Sequence, residues 1–385
     1  MINSYGGQDI PAQIRRRDEA LRDIYWPMKK TLSGIENLSL TLAEYEDLSG
    51  NVPNRERVPW WTFSQLYTLV VTHTVNLTEQ MTLSLMSLPA LRKLCLTIQT
   101  YSVDSTLFDS FLPSPMATPR SGGFPSLHSL EISASLEDLS IFFSTTGTIQ
   151  SLTRLAFFET PDTRPPEDDP AAALTAIASA LGPALDQLDF FLTRDFRSLP
   201  LSAGLVLDAL RVGAAQSLPV SAFQLAGCAL GDADLHRLVA PAPLFPALVT
   251  ATFQHSRDDN SHDRSRPPPG FHHPTVATVH AVSRALPQLD DLQLPSLDPA
   301  GLRFAHPGVA SSEGASPALA PTGLHTLRLA ALEAAADVDV APLAAALVAA
   351  FPHLIAQKLP LSHNRGPGDR LQDLVACVTA LQQGK

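Results

Sequence analysis

The densest collection of side chains able to hold a metal lies between Gln254 and Pro274, where His255, Asp258, Asp259, His262, Asp263, His272 and His273 crowd together. Imidazoles and carboxylates bind zinc when regular spacing aims them at one point, as in HExxH. No such spacing occurs here, and the run from Arg266 to Gly270, Arg-Pro-Pro-Pro-Gly, reads as a loop. A hydrated insertion without metal is therefore expected. A second loop, Pro161 to Pro170, places Glu167, Asp168 and Asp169 side by side; adjacent carboxylates repel and stay solvated, which makes them poor catalysts. For nucleophilic or nucleotide chemistry there is no GxSxG elbow, no GxxxxGK[ST] loop and no GxGxxG turn. Cys95 falls within an apolar strand pattern, away from any helix N-terminus that would favour its thiolate. The expectation is a protein that is not an enzyme and takes no cofactor.

The residue pattern that suits recognition is different. Arg154-Leu-Ala-Phe-Phe158 and Gln187-Leu-Asp-Phe-Phe191 are near copies of one another. If each is a strand, alternate side chains face opposite sides. Leu155, Phe157, Leu188 and Phe190 then point inward. Arg154, Phe158, Gln187, Asp189 and Phe191 point outward, and the same rule adds Glu131 and Lys93 from earlier copies. Aromatic and arginine side chains dominate interface energetics, so Phe158 and Phe191, beside Arg154 and Asp189, form the candidate partner-binding surface. The competing expectation is that the loop Pro161 to Pro170 folds over the two rings and makes them core.

These strands belong to a repeat. One phrase, LxxLxL with other apolar residues tolerated, recurs at Ile35/Leu38/Leu40, Leu66/Leu69/Val71, Leu91/Leu94/Leu96, Leu127/Leu130/Ile132, Leu152/Leu155/Phe157, Leu185/Leu188/Phe190, Leu289/Leu292/Leu294 and Leu324/Leu327/Leu329. Weaker copies are Val220/Phe223/Leu225, Leu248/Ala251/Phe253 and Leu354/Gln357/Leu359. Their middle positions average about 32 residues apart, which suits a strand-plus-helix unit. Leu88-Pro89, Phe124-Pro125, Phe245-Pro246, Leu286-Pro287 and Phe351-Pro352 each precede a copy. Proline there is expected to end a helix and begin an extended segment. Helices are expected over Leu77 to Met86, Ala171 to Leu181, Ala203 to Val212, Asp232 to Val239, Val276 to Leu286 and Pro342 to Ala350.

A strand and a helix cannot bury their apolar faces alone, so the units must stack into a solenoid with a concave parallel sheet and convex helices. The division expected is an N-terminal helical cap or remnant at 1–34 and a solenoid over 35–385. Ile14 to Lys30, with Ile24 and Trp26 inward, would cap the first repeat. Asp369 to Gln382 would cap the last, with Leu371, Leu374, Val375, Val378 and Leu381 on one face.

The phrase and its proline prefix resemble the irregular leucine-rich repeats of ribonuclease-inhibitor-like proteins, in particular the repeat region of fungal F-box-type proteins. The resemblance implies an α/β horseshoe and, in a ubiquitin-ligase complex, a substrate-recognition role. An F-box itself is not recognisable in Met1 to Gly34. An alternative is a small-GTPase regulator resembling the leucine-rich-repeat Ran GTPase-activating proteins, although the tail Leu381 to Lys385 is not acidic as that family's would be. A degenerate paralogue with no specific partner is the third reading.

Composition narrows the partner. A net charge of -11 disfavours nucleic acid and anionic membranes, which require a basic surface. Cys95, Cys228 and Cys377 are too few and too scattered for a disulfide framework or a zinc site. Without an apolar leader or a membrane-length stretch, an intracellular chain is expected, monomeric on its own, with a protein partner on the concave face.

Overall fold

The computed structural model describes residues 34–41, 64–74, 82, 85–86, 88–98, 123–160, 170–192, 201–214, 217–254, 272–298, 323–332, 339–358 and 370–384. The helix expected over Ile14 to Lys30, and most of the loops 161–170 and 254–274, lie outside these residues. The strands are β1 (Asn37–Thr41), β2 (Thr68–Thr74), β3 (Lys93–Ile98), β4 (Ser129–Ala134), β5 (Arg154–Glu159), β6 (Gln187–Phe191), β7 (Ala222–Ala226), β8 (Thr250–Gln254), β9 (Asp291–Leu297), β10 (Thr326–Leu332) and β11 (Ile355–Lys358). Between and after them stand α1 (Leu136–Thr146), α2 (Pro170–Ser179), α3 (Ala203–Gly213), α4 (Asp232–Arg237), α5 (Val276–Ala285), α6 (Ala341–Ala350) and α7 (Arg370–Gln382).

All eleven strands form one sheet in sequence order, and every neighbouring pair is parallel. This is the open α/β leucine-rich-repeat solenoid. The register follows the phrase. Leu38 pairs with Leu69, and the line continues through Leu94, Leu130, Leu155, Leu188, Phe223, Ala251, Leu292 and Leu327. The last copy departs: Leu327 pairs with Ala356, and Gln357 pairs with Arg328. One residue is missing between Leu354 and the core-facing position, so Ala356 takes the inward place expected of Gln357.

The proline prefix meets half of its expectation: α5 and α6 end just before Leu286-Pro287 and Phe351-Pro352, but no extended segment begins at the proline. Phe124, Phe245, Leu286 and Phe351 are buried, and their carbonyls accept from the amides of Leu127 (3.4 Å), Leu248 (3.2 Å), Leu289 (3.0 Å) and Leu354 (3.1 Å). Proline therefore occupies the second position of a tight turn, where its fixed φ fits, and the strand starts after it.

From the turn, a backbone ladder ties the strand starts together. The Thr153 carbonyl accepts from the amides of Asp186 and Gln187 (2.8 and 2.9 Å), Asp186 from Ser221 and Ala222, Ser221 from Val249 and Thr250, and Val249 from Asp290 and Asp291.

The helices line the inward face, and the core runs without a break from Leu66 to Val378. A helix is about 10 Å across whereas strands are about 4.8 Å apart, so stacking one of each per repeat bends the sheet to the inside of the curve. Observed helix limits lie within a few residues of those expected; of 77–86, the structure describes Thr82, Leu85 and Met86 as helical. Helix α1 was not expected. Ser135 caps it by accepting from the Asp138 amide at 3.1 Å. At the far end, α7 buries Leu371, Leu374 and Val378 but leaves Leu381 exposed, contrary to the expected face. Gln382 instead donates to the Leu354 carbonyl at 2.6 Å, closing the terminal repeat. No helix among the described residues is long and apolar enough to cross a membrane.

Candidate functional site

On the face opposite the helices, each strand displays three side chains: the residue before the middle apolar position, the one after it, and the one after the last apolar position. Register fixes their neighbours. Arg154 lies beside Gln187, Ala156 beside Asp189, and Phe158 beside Phe191. The structure therefore brings Arg154, Phe158, Gln187, Asp189 and Phe191 into one cluster across β5 and β6. Glu131 is the next residue over, paired with Ala156. Lys93 belongs to β3 and is separated from Arg154 by Ser129, so it stands outside the cluster.

Within the cluster, the rings of Phe158 and Phe191 stack with centroids 4.5 Å apart and planes 5° from parallel. That distance matches the strand spacing of about 4.8 Å, so both rings stand nearly upright on the sheet. They remain partly exposed, whereas Phe157 and Phe190, one residue back, are fully buried. Gln187 Nε2 donates to Asp189 Oδ2 at 2.8 Å, and the Arg154 guanidinium lies 3.5 Å from the same oxygen. Burial pushes the Asp189 carboxyl above the ordinary carboxylate range, and the contacts from Gln187 and Arg154 only partly counter it.

The middle row is less open than alternation alone predicts. Ala156, Asp189 and Gln293 are all buried, because a concave surface converges side chains and the longer ones on either side cover the short ones. The thiol of Cys95 lies 3.9 Å from Glu131 Oε2, and its pKa is raised first by burial and then by that carboxylate. This is the reverse of an activated nucleophile.

A second polar cluster lies toward the C-terminus. Arg328 is 2.8 Å from Asp291, whose pKa is raised by burial, lowered by Arg328 and raised again by Asp290. Along the strand-start rim, His325 meets Asp290 at 2.6 Å, and Arg92 lies 5.0 Å from the centre of the Tyr67 ring. The rim was missed from sequence. Its signal was the first variable position of each phrase, which holds Tyr67, Arg92, His128, Asp186, Asp290 and His325.

Of the histidine segment, the described residues make structural contacts. The His272 carbonyl accepts from the Asp232 amide at 2.7 Å, and His273 Nδ1 sits 2.7 Å from Ser296 Oγ. Ser296 is fully buried, so this serine–histidine contact pins β9 to the start of α5 and gives no substrate access to the hydroxyl. Among the described residues, no group of three metal-binding side chains converges.

No protein-family model matches the chain, and no curated protein does so either. Among solved structures, the chain is similar to a chain of the crystal structure of the Rad7 and Elc1 complex in yeast. The TM-score is 0.43 at 14% identity, covering 81% of this chain and 70% of that one. It is also similar to the leucine-rich repeat-containing protein LegL7 from Legionella pneumophila, with a TM-score of 0.35 at 13% identity over 89% of this chain and 98% of that one.

Proposed function

We propose that this chain is a noncatalytic protein-interaction module whose sheet face, centred on β5 and β6, holds a protein partner. The observation that carries the reading is the partly exposed Phe158–Phe191 stack beside a buried, incompletely compensated carboxylate. Apolar rings in water and a carboxylate with a raised pKa both cost stability in the free protein. A partner that covers the rings and supplies donors relieves both costs at once. Within this reading, a substrate-recognition role in a ubiquitin-ligase complex is the finer assignment that the resemblance to F-box-type repeats suggests.

The test is capture of partners by the full chain, compared with the Phe158→Ala/Phe191→Ala double variant. Loss of a captured protein from the variant, while it still unfolds cooperatively in urea, supports the site. Equal capture by both proteins removes it. Recovery of a ubiquitin-ligase adaptor by the parent chain would support the finer role, and its absence from every capture would sink it.

A further inference from the structure

The aromatic stack has two outer faces. Phe158 and Phe191 cover one another's inner faces, and along the same row the next residues are Ser133 on β4 and Ala226 on β7. Both are small. Beyond Ala226, which is buried, comes Gln254, two strand spacings or about 9.6 Å of backbone from Phe191. A planar group can slide there against the ring face.

Carboxylates stand close to both slots, with the Arg154 guanidinium already set against one of them. The slot over Ser133 has a carboxylate at its foot, since Glu131 stands two residues before Ser133 on β4; in the slot over Ala226 that place is held by Gln224, with the buried Asp189 beside it on β6. Asp186 lies on the rim of the same strand. Arg154 is the cation nearest them, and it contacts Asp189 through Oδ2, as does Gln187. The contacts leave Oδ1 for an incoming donor. An aromatic face with a carboxylate at its foot is the chemistry that receives a guanidinium, flat against the ring and hydrogen-bonded at its edge. The chain's net charge of -11 favours the same sign of partner.

Building on the proposed docking face, we infer that β4–β7 bind an arginine-bearing segment of the partner, its guanidinium stacked on the outer face of Phe191 or Phe158 and paired with Asp189 or Glu131. The partner is basic where it touches this patch, and lysine is a weaker substitute because an ammonium cannot stack as a plane.

Fluorescence anisotropy with labelled peptides tests this on the full chain: alternating Arg-Gly, Lys-Gly, Glu-Gly and Leu-Gly sequences of equal length. The Arg-Gly peptide is expected to bind at least about tenfold tighter than Glu-Gly, and several-fold tighter than Lys-Gly. General attraction to an acidic protein would survive removal of the rings, so the decisive variant is Phe158→Leu/Phe191→Leu, which keeps apolar bulk and net charge but lacks the π faces. It is expected to lose about tenfold for Arg-Gly. Unchanged Arg-Gly affinity in that variant, with its circular dichroism intact, overturns the inference, as does Arg-Gly binding no tighter than Glu-Gly. Tight, ring-dependent binding of Leu-Gly alone also overturns it while leaving the docking face standing. If partner capture and all four peptides ignore the rings, the underlying reading falls as well.

Discussion

Two carboxylates at similar depth are treated in opposite ways. Asp234 is 8% exposed and Asp189 is 5% exposed. On the helix side, Asp234 accepts from the Gly231 amide at 2.8 Å and the Ser202 hydroxyl at 3.1 Å. Its neighbour Asp232 accepts from the Thr275 amide at 2.9 Å and from the Thr278 hydroxyl. These bonds stitch the starts of α3, α4 and α5 together, using the amides that every helix N-terminus leaves unpaired. On the sheet side, Asp189 receives one amide donor and one distant guanidinium, both from side chains. The helix layer uses its buried charge to hold the repeats in place. The sheet face keeps a charge that burial disfavours, as expected where a surface answers to a partner more than to stability.

If that division is right, the largest losses of stability come from the scaffold. Gly227, just after β7, has φ +84°, and a Cβ there would collide with the Leu192 carbonyl. Gly227→Ala is expected to cost about 3 kcal/mol, since alanine is strained at that φ and the obstacle is backbone. Urea denaturation checks it; a loss below about 1 kcal/mol would mean that the β6–β7 junction yields more easily than its geometry allows. Next comes Asp234→Ala, expected to cost about 2 kcal/mol by stranding the Gly231 amide and the Ser202 hydroxyl. Differential scanning calorimetry would show a lowered transition. An unaltered one would contradict the assignment of Asp234 to the scaffold.

The same contrast explains what could be read from sequence. Core positions were legible because a period-two strand in a stack exposes any slip: from Leu38 to Leu327 each copy aligns by its middle apolar residue. The terminal copy failed because a shortened phrase can be read with either Ala356 or Gln357 inward, and only the partner strand decides between them. Helix α1 was not legible although Ser135 and Asp138 carry a helix-start signal, because only Ser135 separates it from β4, with no proline or glycine to mark the change from strand to helix. The five clustered site residues followed from alternation on adjacent strands. Depth did not follow: burial of Ala156, Asp189 and Gln293 depends on curvature and on the lengths of neighbouring side chains, neither of which spacing encodes. Leu381 was placed inward by helical periodicity, yet α7 outlasts the repeat it covers.

On the sheet face, Phe158→Ala/Phe191→Ala should cost stability less than either scaffold change, about 1 kcal/mol, because both rings are already partly in water. Partner capture should nevertheless fall by tenfold or more. A stability loss as large as that of Asp234→Ala would move these rings from the recognition surface into the core.

Asp189→Asn is expected to have the smallest effect and the most informative sign. The folded protein holds this carboxyl above its unfolded pKa of about 3.9, so the protonated form is the one the fold prefers. The resulting stability is fully present below that unfolded value and is lost as pH rises through the raised folded value. At neutral pH the parent carries the cost of a buried charge, which asparagine avoids while still accepting from Gln187. The variant should therefore be as stable as the parent or more stable at pH 7, by about 0.5 kcal/mol. That advantage should shrink as pH falls toward 4, and urea midpoints at several pH values would show it. A variant clearly less stable at neutral pH would mean that Arg154 and Gln187 overcompensate the burial, making Asp189 a structural partner like Asp234 and erasing the contrast between the two faces.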